Sequence, residues 1–186
     1  MLRGWALAEQ GQPEAGITQL CQGLAAYRAT GAEVYGPYWL ALLAEAYGKG
    51  GQTEEGLAAL AEALAAAHKT GGRHHEAELY RLKGELTLQQ SKTSPRQVKA
   101  SQDKAEGKSP ESEAEEYFRK AIDVAGRQSA KSLELRAVLS LSRLWQRQGK
   151  RKKAHQMLAE VYGWFTEGFD TKDLQEAKAL LEELSH

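Results

Sequence analysis

The sequence predicts an all-α solenoid: about four antiparallel helix pairs stacked in a row and closed by one further helix. Three observations predict it. Only four prolines interrupt a chain rich in Ala, Leu, Glu, Gln and Lys, which favour helix. Apolar residues recur at steps of three and four, as in Leu40-x2-Leu43-Ala44-x2-Tyr47 and Gly56-Leu57-x2-Leu60-x2-Ala63-Leu64, each lining one helix face. The pattern also repeats. Gly11-Gln12-x-Glu14-x-Gly16 returns 40 residues later as Gly51-Gln52-x-Glu54-x-Gly56, and Val138-x2-Leu141-Ser142-x2-Trp145 follows the Leu40 run by 98. The small residues Gly16, Gly56, Ala114 and Ala154, placed where paired helices touch, are separated by 40, 58 and 40. The middle interval exceeds the period by 18, so the third repeat carries an insertion between its two helices.

The elements follow in order. Met1 to Gln10 supplies a shortened first helix before Gly11-Gln12-Pro13. It is far shorter than its equivalent in the second repeat, so the chain is expected to start mid-repeat, as a piece of something longer. Pro13 suits the first position of the next helix, where a missing N–H costs nothing, and that helix is expected to reach about Thr30. Glu33 to Lys49 forms the third, with Gly36-Pro37 in its first turn, and Gly50-Gly51 reverses the chain. Helices at 53–69 and 73–90 come next, the second with Leu79, Leu82 and Leu86 as its buried stripe. Residues 1–90 thus hold two repeats and the first helix of a third.

Residues 91–110 contain one large apolar side chain, Val98, and cannot bury enough surface to offset the entropy of ordering. They are expected to be a flexible insertion, which costs little to close. Residues 111–166 hold the second helix of the third repeat and the whole fourth repeat, with helices at 111–128, 131–148 and 151–165. Asp170-Thr171 offers an N-cap for a last amphipathic helix within 170–185, whose apolar set is Leu174, Ala177, Leu180, Leu181 and Leu184.

These landmarks resemble the tetratricopeptide repeat (TPR), whose pattern is W-x2-L-G-x2-Y…A-x3-F. Leu40 or Val138, Leu43 or Leu141, Ala44 or Ser142 and Tyr47 or Trp145 stand in its slots. The period of 40 exceeds the family's usual length of about 34, so each helix runs about one turn longer. The resemblance implies a right-handed superhelix and a protein-binding or scaffolding role. The stretches Glu76 to Leu86 and Phe165 to Ala177 resemble the C-terminal tails of bacterial signalling proteins that join a nucleotidyl cyclase or kinase domain to an AAA-type ATPase. A regulatory tail of such a protein is the implied setting.

Composition narrows the function. Lys plus Arg equals Asp plus Glu, 25 each, which gives no overall charge to draw nucleic acid. Locally, residues 127–153 carry nine basic residues and one acid, and residues 154–186 seven acids and two bases. Cys21 stands alone, so no disulfide framework exists and a reducing, cytoplasmic setting is expected, with Cys21 a small apolar filler beside Leu20 and Leu24. No apolar run approaches the roughly 18 residues a membrane span needs. No phosphate-binding glycine loop is present, His74, His75 and Glu78 lack a further ligand at metal-site spacing, and no catalytic constellation appears. No cofactor, no metal and no enzymatic activity are expected.

What remains is a surface. In TPR proteins the first helix of each pair lines the concave face. By this resemblance the second repeat presents Tyr38, Leu42, Glu45 and Lys49 there, the third Tyr80, Arg81 and Gly84, and the fourth Arg136, Leu139, Ser140, Arg143 and Arg147. Arg136, Arg143 and Arg147 make a ladder along one helix side, which suits an acidic peptide or protein partner. Self-association through the N-terminal end is the alternative.

Overall fold

The computed structural model describes residues 1–93 and 108–185. Its α-helices are α1 (Leu2–Glu9), α2 (Pro13–Ala29), α3 (Gly36–Lys49), α4 (Thr53–Thr70), α5 (Glu76–Thr93), α6 (Pro110–Arg127), α7 (Lys131–Arg147), α8 (Arg151–Tyr162) and α9 (Lys172–Ser185). Among the described residues there is no strand, and no helix is long and apolar enough to cross a membrane.

Turn chemistry sets the helix ends. Gly11, Gly31, Gly51, Gly71 and Gly149 take positive φ just beyond α1, α2, α3, α4 and α7, a conformation that costs glycine nothing. Beyond α6 the same position is held by Ser129 at φ 54°, 58 residues after Gly71. Ser109 caps α6, its hydroxyl accepting from the Ser112 N–H at 3.2 Å with Pro110 at the first helical position.

Helices pair as α1–α2, α3–α4, α5–α6 and α7–α8. Each pair closes on small residues. A Cβ on Gly16 would meet the Gly4 carbonyl at 2.6 Å, one on Gly56 the Ala44 carbonyl at 3.2 Å, and Ala114 and Ala154 are wholly buried at the equivalent positions. Each odd-numbered helix also packs against the next odd one, α1 on α3, α3 on α5, α5 on α7 and α7 on α9. Successive even helices make weaker contacts or none, so the odd row is the inner side of the curve. The apolar core runs along the stack as two clusters, one from Ala8, Leu20 and Leu40 through Leu79 to Val124 and the other from Phe118 through Trp145 and Leu158 to Leu180, with the partly buried Ile122 packed against both.

Several local expectations are corrected. The third helix starts at Gly36, not Glu33, because Tyr35 is its N-cap residue and its N–H is held by the Tyr27 hydroxyl at 2.9 Å. The fifth runs past Gln90 to Thr93, so the expected insertion begins inside it, and residues 94–107 lie outside the described residues. The eighth stops at Tyr162 rather than 165: Trp164 and Phe165 bond three residues back, to Val161 and Tyr162, in a tightened last turn. Thr171 does precede α9, but its hydroxyl donates back to the Gly168 carbonyl at 2.7 Å. Cys21 is exposed on α2, its sulfur 3.8 Å from the Tyr47 hydroxyl, and fills no core space.

Candidate functional site

The inner row brings residues in equivalent repeat positions side by side. One position holds Trp5, Glu45, Glu85 and Arg143, a second Glu9, Lys49, Gln89 and Arg147, and a third Tyr38, Glu78 and Arg136. Contacts follow these positions. The Trp5 indole N–H donates to Glu45 at 2.9 Å, Lys49 pairs with Glu9, and Arg136 pairs with Glu78 at 3.0 Å. The Gln89 amide donates to the Gly48 carbonyl at 2.7 Å. Helix after helix, the inner face is stitched by polar side chains.

Arg81 is the centre of this network. Its guanidinium forks onto Glu78 at 2.8 and 3.0 Å and reaches Glu85 at 3.4 Å, while the Ser140 hydroxyl donates to Glu85 at 2.6 Å. Burial alone would raise the Glu78 carboxyl, but the charge and hydrogen bonds of Arg81, with Arg136 beyond, hold it below the usual carboxylate range. Arg81 is pushed up in turn: burial works against its charge, and Glu78 and Glu85 outweigh burial.

The arginine ladder is partly occupied from within. Arg136 reaches Asp173 of α9 at 3.9 Å as well as Glu78, and Arg143 pairs with Glu176 of α9 at 2.6 Å. Arg147 is exposed, and its guanidinium donates to the Arg143 carbonyl at 3.3 Å. Tyr38 is half-buried with its ring 5.0 Å from that of His75. Burial lowers the His75 imidazole, His74 adds to this, and Glu78 opposes it. Glu78 is thus committed to arginine, and among the described residues no three His, Cys, Asp or Glu side chains are grouped to hold a metal.

Tyr80 is a correction. Its side chain is 5% exposed and lies under Lys120 of α6 at 4.2 Å, so it does not reach the inner face. Gly84 likewise faces α6, where an added Cβ would meet the Phe118 ring at 2.5 Å, and Leu139 and Ser140 are buried. The inner positions of α5 belong to Glu78 and Glu85, which stand 40 residues after Tyr38 and Glu45. That spacing was the signal for them. Between α3 and α5 a depression of about 420 Å³ opens on this face, lined by Glu45, Gly48, Lys49, Arg81, Glu85 and Gln89 with the apolar Leu82 and Leu86.

Among solved structures, the chain matches crystal structures of a Podosopora anserina kinesin light chain protein with nearly identical TPR-like repeats. One is 20% identical at a TM-score of 0.57, covering 98% of this chain and 90% of that one. A single-substitution variant of that protein is 19% identical at the same TM-score, covering 98% and 89%. The fold is a TPR-like repeat solenoid. At this identity the likeness speaks for the fold alone. No family profile and no curated protein matches the chain.

Proposed function

We propose that this chain is a non-catalytic protein-interaction scaffold that binds a segment of a partner protein along the inner face of its odd-numbered helices. The observation that carries this is the depression between α3 and α5, flanked on the same face by the exposed arginines of α7. A surface of this kind offers charged and polar groups across three successive odd-numbered helices on a rigid frame, as recognition of an extended or helical segment requires. The fold supports the same assignment, since stacked repeats present a long curved surface. The likeness of Glu76 to Leu86 and Phe165 to Ala177 to the tails of signalling ATPases and cyclases supports a regulatory role within a larger protein.

Self-association through the N-terminal end is the competing assignment. Leu2, 58% exposed there, favours it. Arg3 weighs against it, being exposed at the position where Leu43 is buried one repeat later.

Selection of a phage-displayed dodecapeptide library on the purified chain tests the proposal. Enriched peptides should bind the chain and lose binding to an inner-face variant carrying Glu45→Ala and Arg143→Ala. Peptides that bind both proteins equally, or no enrichment, would overturn it.

A further inference from the structure

We propose that the segment bound on this face is bipolar, presenting a lysine or arginine to the α3–α5 depression and an aspartate or glutamate to the arginines of α7. This rests on the inner-face assignment above and adds the partner's charge pattern. The depression contains two cations and two carboxylates, but they are not equally available. Lys49 is paired with Glu9, and Arg81 is forked onto Glu78, so both cations are committed to carboxylates outside the depression. Glu45 and Glu85 take their short hydrogen bonds from neutral donors, the Trp5 indole at 2.9 Å and the Ser140 hydroxyl at 2.6 Å. The nearest cation to Glu85 is an Arg81 nitrogen at 3.4 Å, and the Glu85 side chain is 41% exposed. Glu9, Glu45, Glu78 and Glu85 thus stand against Lys49, Arg81 and, on the far side of Glu78, Arg136, and the surplus is one negative charge. An incoming cation finds two carboxylates with free lone pairs.

The next odd helix inverts the sign. Arg143 is 44% exposed and shares a single carboxylate, Glu176, with Lys172 at 3.9 Å. Arg147 has no ion-pair partner among the described residues. Four of its five N–H donors are left for an anion, the Nε–H being bonded to the Arg143 carbonyl. The change falls within one repeat position, since Glu45, Glu85 and Arg143 are equivalent residues of α3, α5 and α7. Neighbouring helix axes lie about 8–10 Å apart, so Glu45 and Arg143 are separated by roughly 20 Å. An extended segment advances about 3.3 Å per residue, which sets its opposite charges about six residues apart. A partner of one charge sign would meet repulsion at one end of the face.

The dodecapeptide selection reads this directly, with the charges of the enriched peptides as the result. Peptides enriched on the chain should carry a basic and an acidic residue about six positions apart, and affinity should fall as salt screens both ends. Against Glu45→Gln with Glu85→Gln the basic preference should vanish and the acidic one remain. Against Arg143→Gln with Arg147→Gln the reverse should hold. Each pair should weaken the parent peptide about tenfold, as titration calorimetry reads it. Circular dichroism checks folding of each variant, and Arg147→Gln alone, an exposed change, keeps the test open if a pair fails to fold. Inner-face-dependent peptides that carry only acids, only bases or no charge would overturn the bipolar pattern while leaving the scaffold assignment standing. Binding indifferent to all these substitutions would overturn both.

Discussion

Trp5 of α1 donates its indole N–H to the carboxylate of Glu45 in α3 at 2.9 Å, and the two residues are 40 positions apart in sequence. The bond ties the short first helix to the third from the inner side, while Gly4 and Gly16 hold it to the second. Trp5→Phe keeps most of the apolar contact and removes the donor to a charged acceptor, so it should cost about 1–2 kcal/mol. Urea denaturation measures the loss, and hydrogen exchange should show it concentrated in α1.

The glycines at helix crossings should rank by what an added methyl meets. At Gly16 the obstacle is backbone, the Gly4 carbonyl at 2.6 Å and the Ala8 nitrogen at 2.9 Å. At Gly84 it is the fully buried ring of Phe118, and at Gly56 mainly the movable tip of Leu86 at 2.7 Å. Substitution by alanine should therefore be worst at Gly16, intermediate at Gly84 and mildest at Gly56, within about 1–3 kcal/mol. Thermal melts of the three variants give the order.

Ser129 holds a left-handed conformation that glycine supplies after α1, α2, α3, α4 and α7. A non-glycine residue there costs about 1–2 kcal/mol. Ser129→Gly relieves that strain, against a larger entropy loss on folding, and should stabilise the chain by about 0.5–1 kcal/mol. A raised melting temperature is the expected outcome.

The Glu78–Arg81 pair, with side chains 13% and 11% exposed, predicts a pH dependence. Glu78 titrates lower in the folded chain than in the unfolded one. Its stabilisation is therefore fully present above the unfolded carboxyl's value of about 4.3 and is lost as pH falls through the folded value. Glu78→Gln should cost about 3 kcal/mol at pH 7, because it leaves a buried guanidinium short of its charge partner. Melts of the variant should be flatter than those of the parent chain below pH 4. Glu78→Leu combined with Arg81→Met should recover much of the loss, since an apolar pair needs no desolvation.

The repeat register was legible because each repeat needs a small residue at its helix crossing and a left-handed residue at its turn, and few residue types serve either. Gly16, Gly56, Ala114 and Ala154 are recognisable for that reason, while Ser129 concealed the 58-residue step from Gly71. Tyr80 was misplaced because α5, in the middle of the stack, is buried on two sides. Leu79, Leu82 and Leu86 face one way and Tyr80, Gly84 and Leu88 another, so periodicity alone does not say which side is inward. Nor does composition reveal that Glu78, Asp173 and Glu176 already engage the arginine ladder, since that depends on how α5 and α9 pack against α7.

The central claim is that the inner face of the odd helices receives the partner. Hydrogen–deuterium exchange of the chain, alone and saturated with a peptide enriched by selection, tests it most directly. Slowed exchange confined to α3, α5 and α7, with α2, α4 and α6 unchanged, is the predicted result. Slowed exchange on the outer helices α4 and α6, with α3, α5 and α7 unchanged, would contradict it.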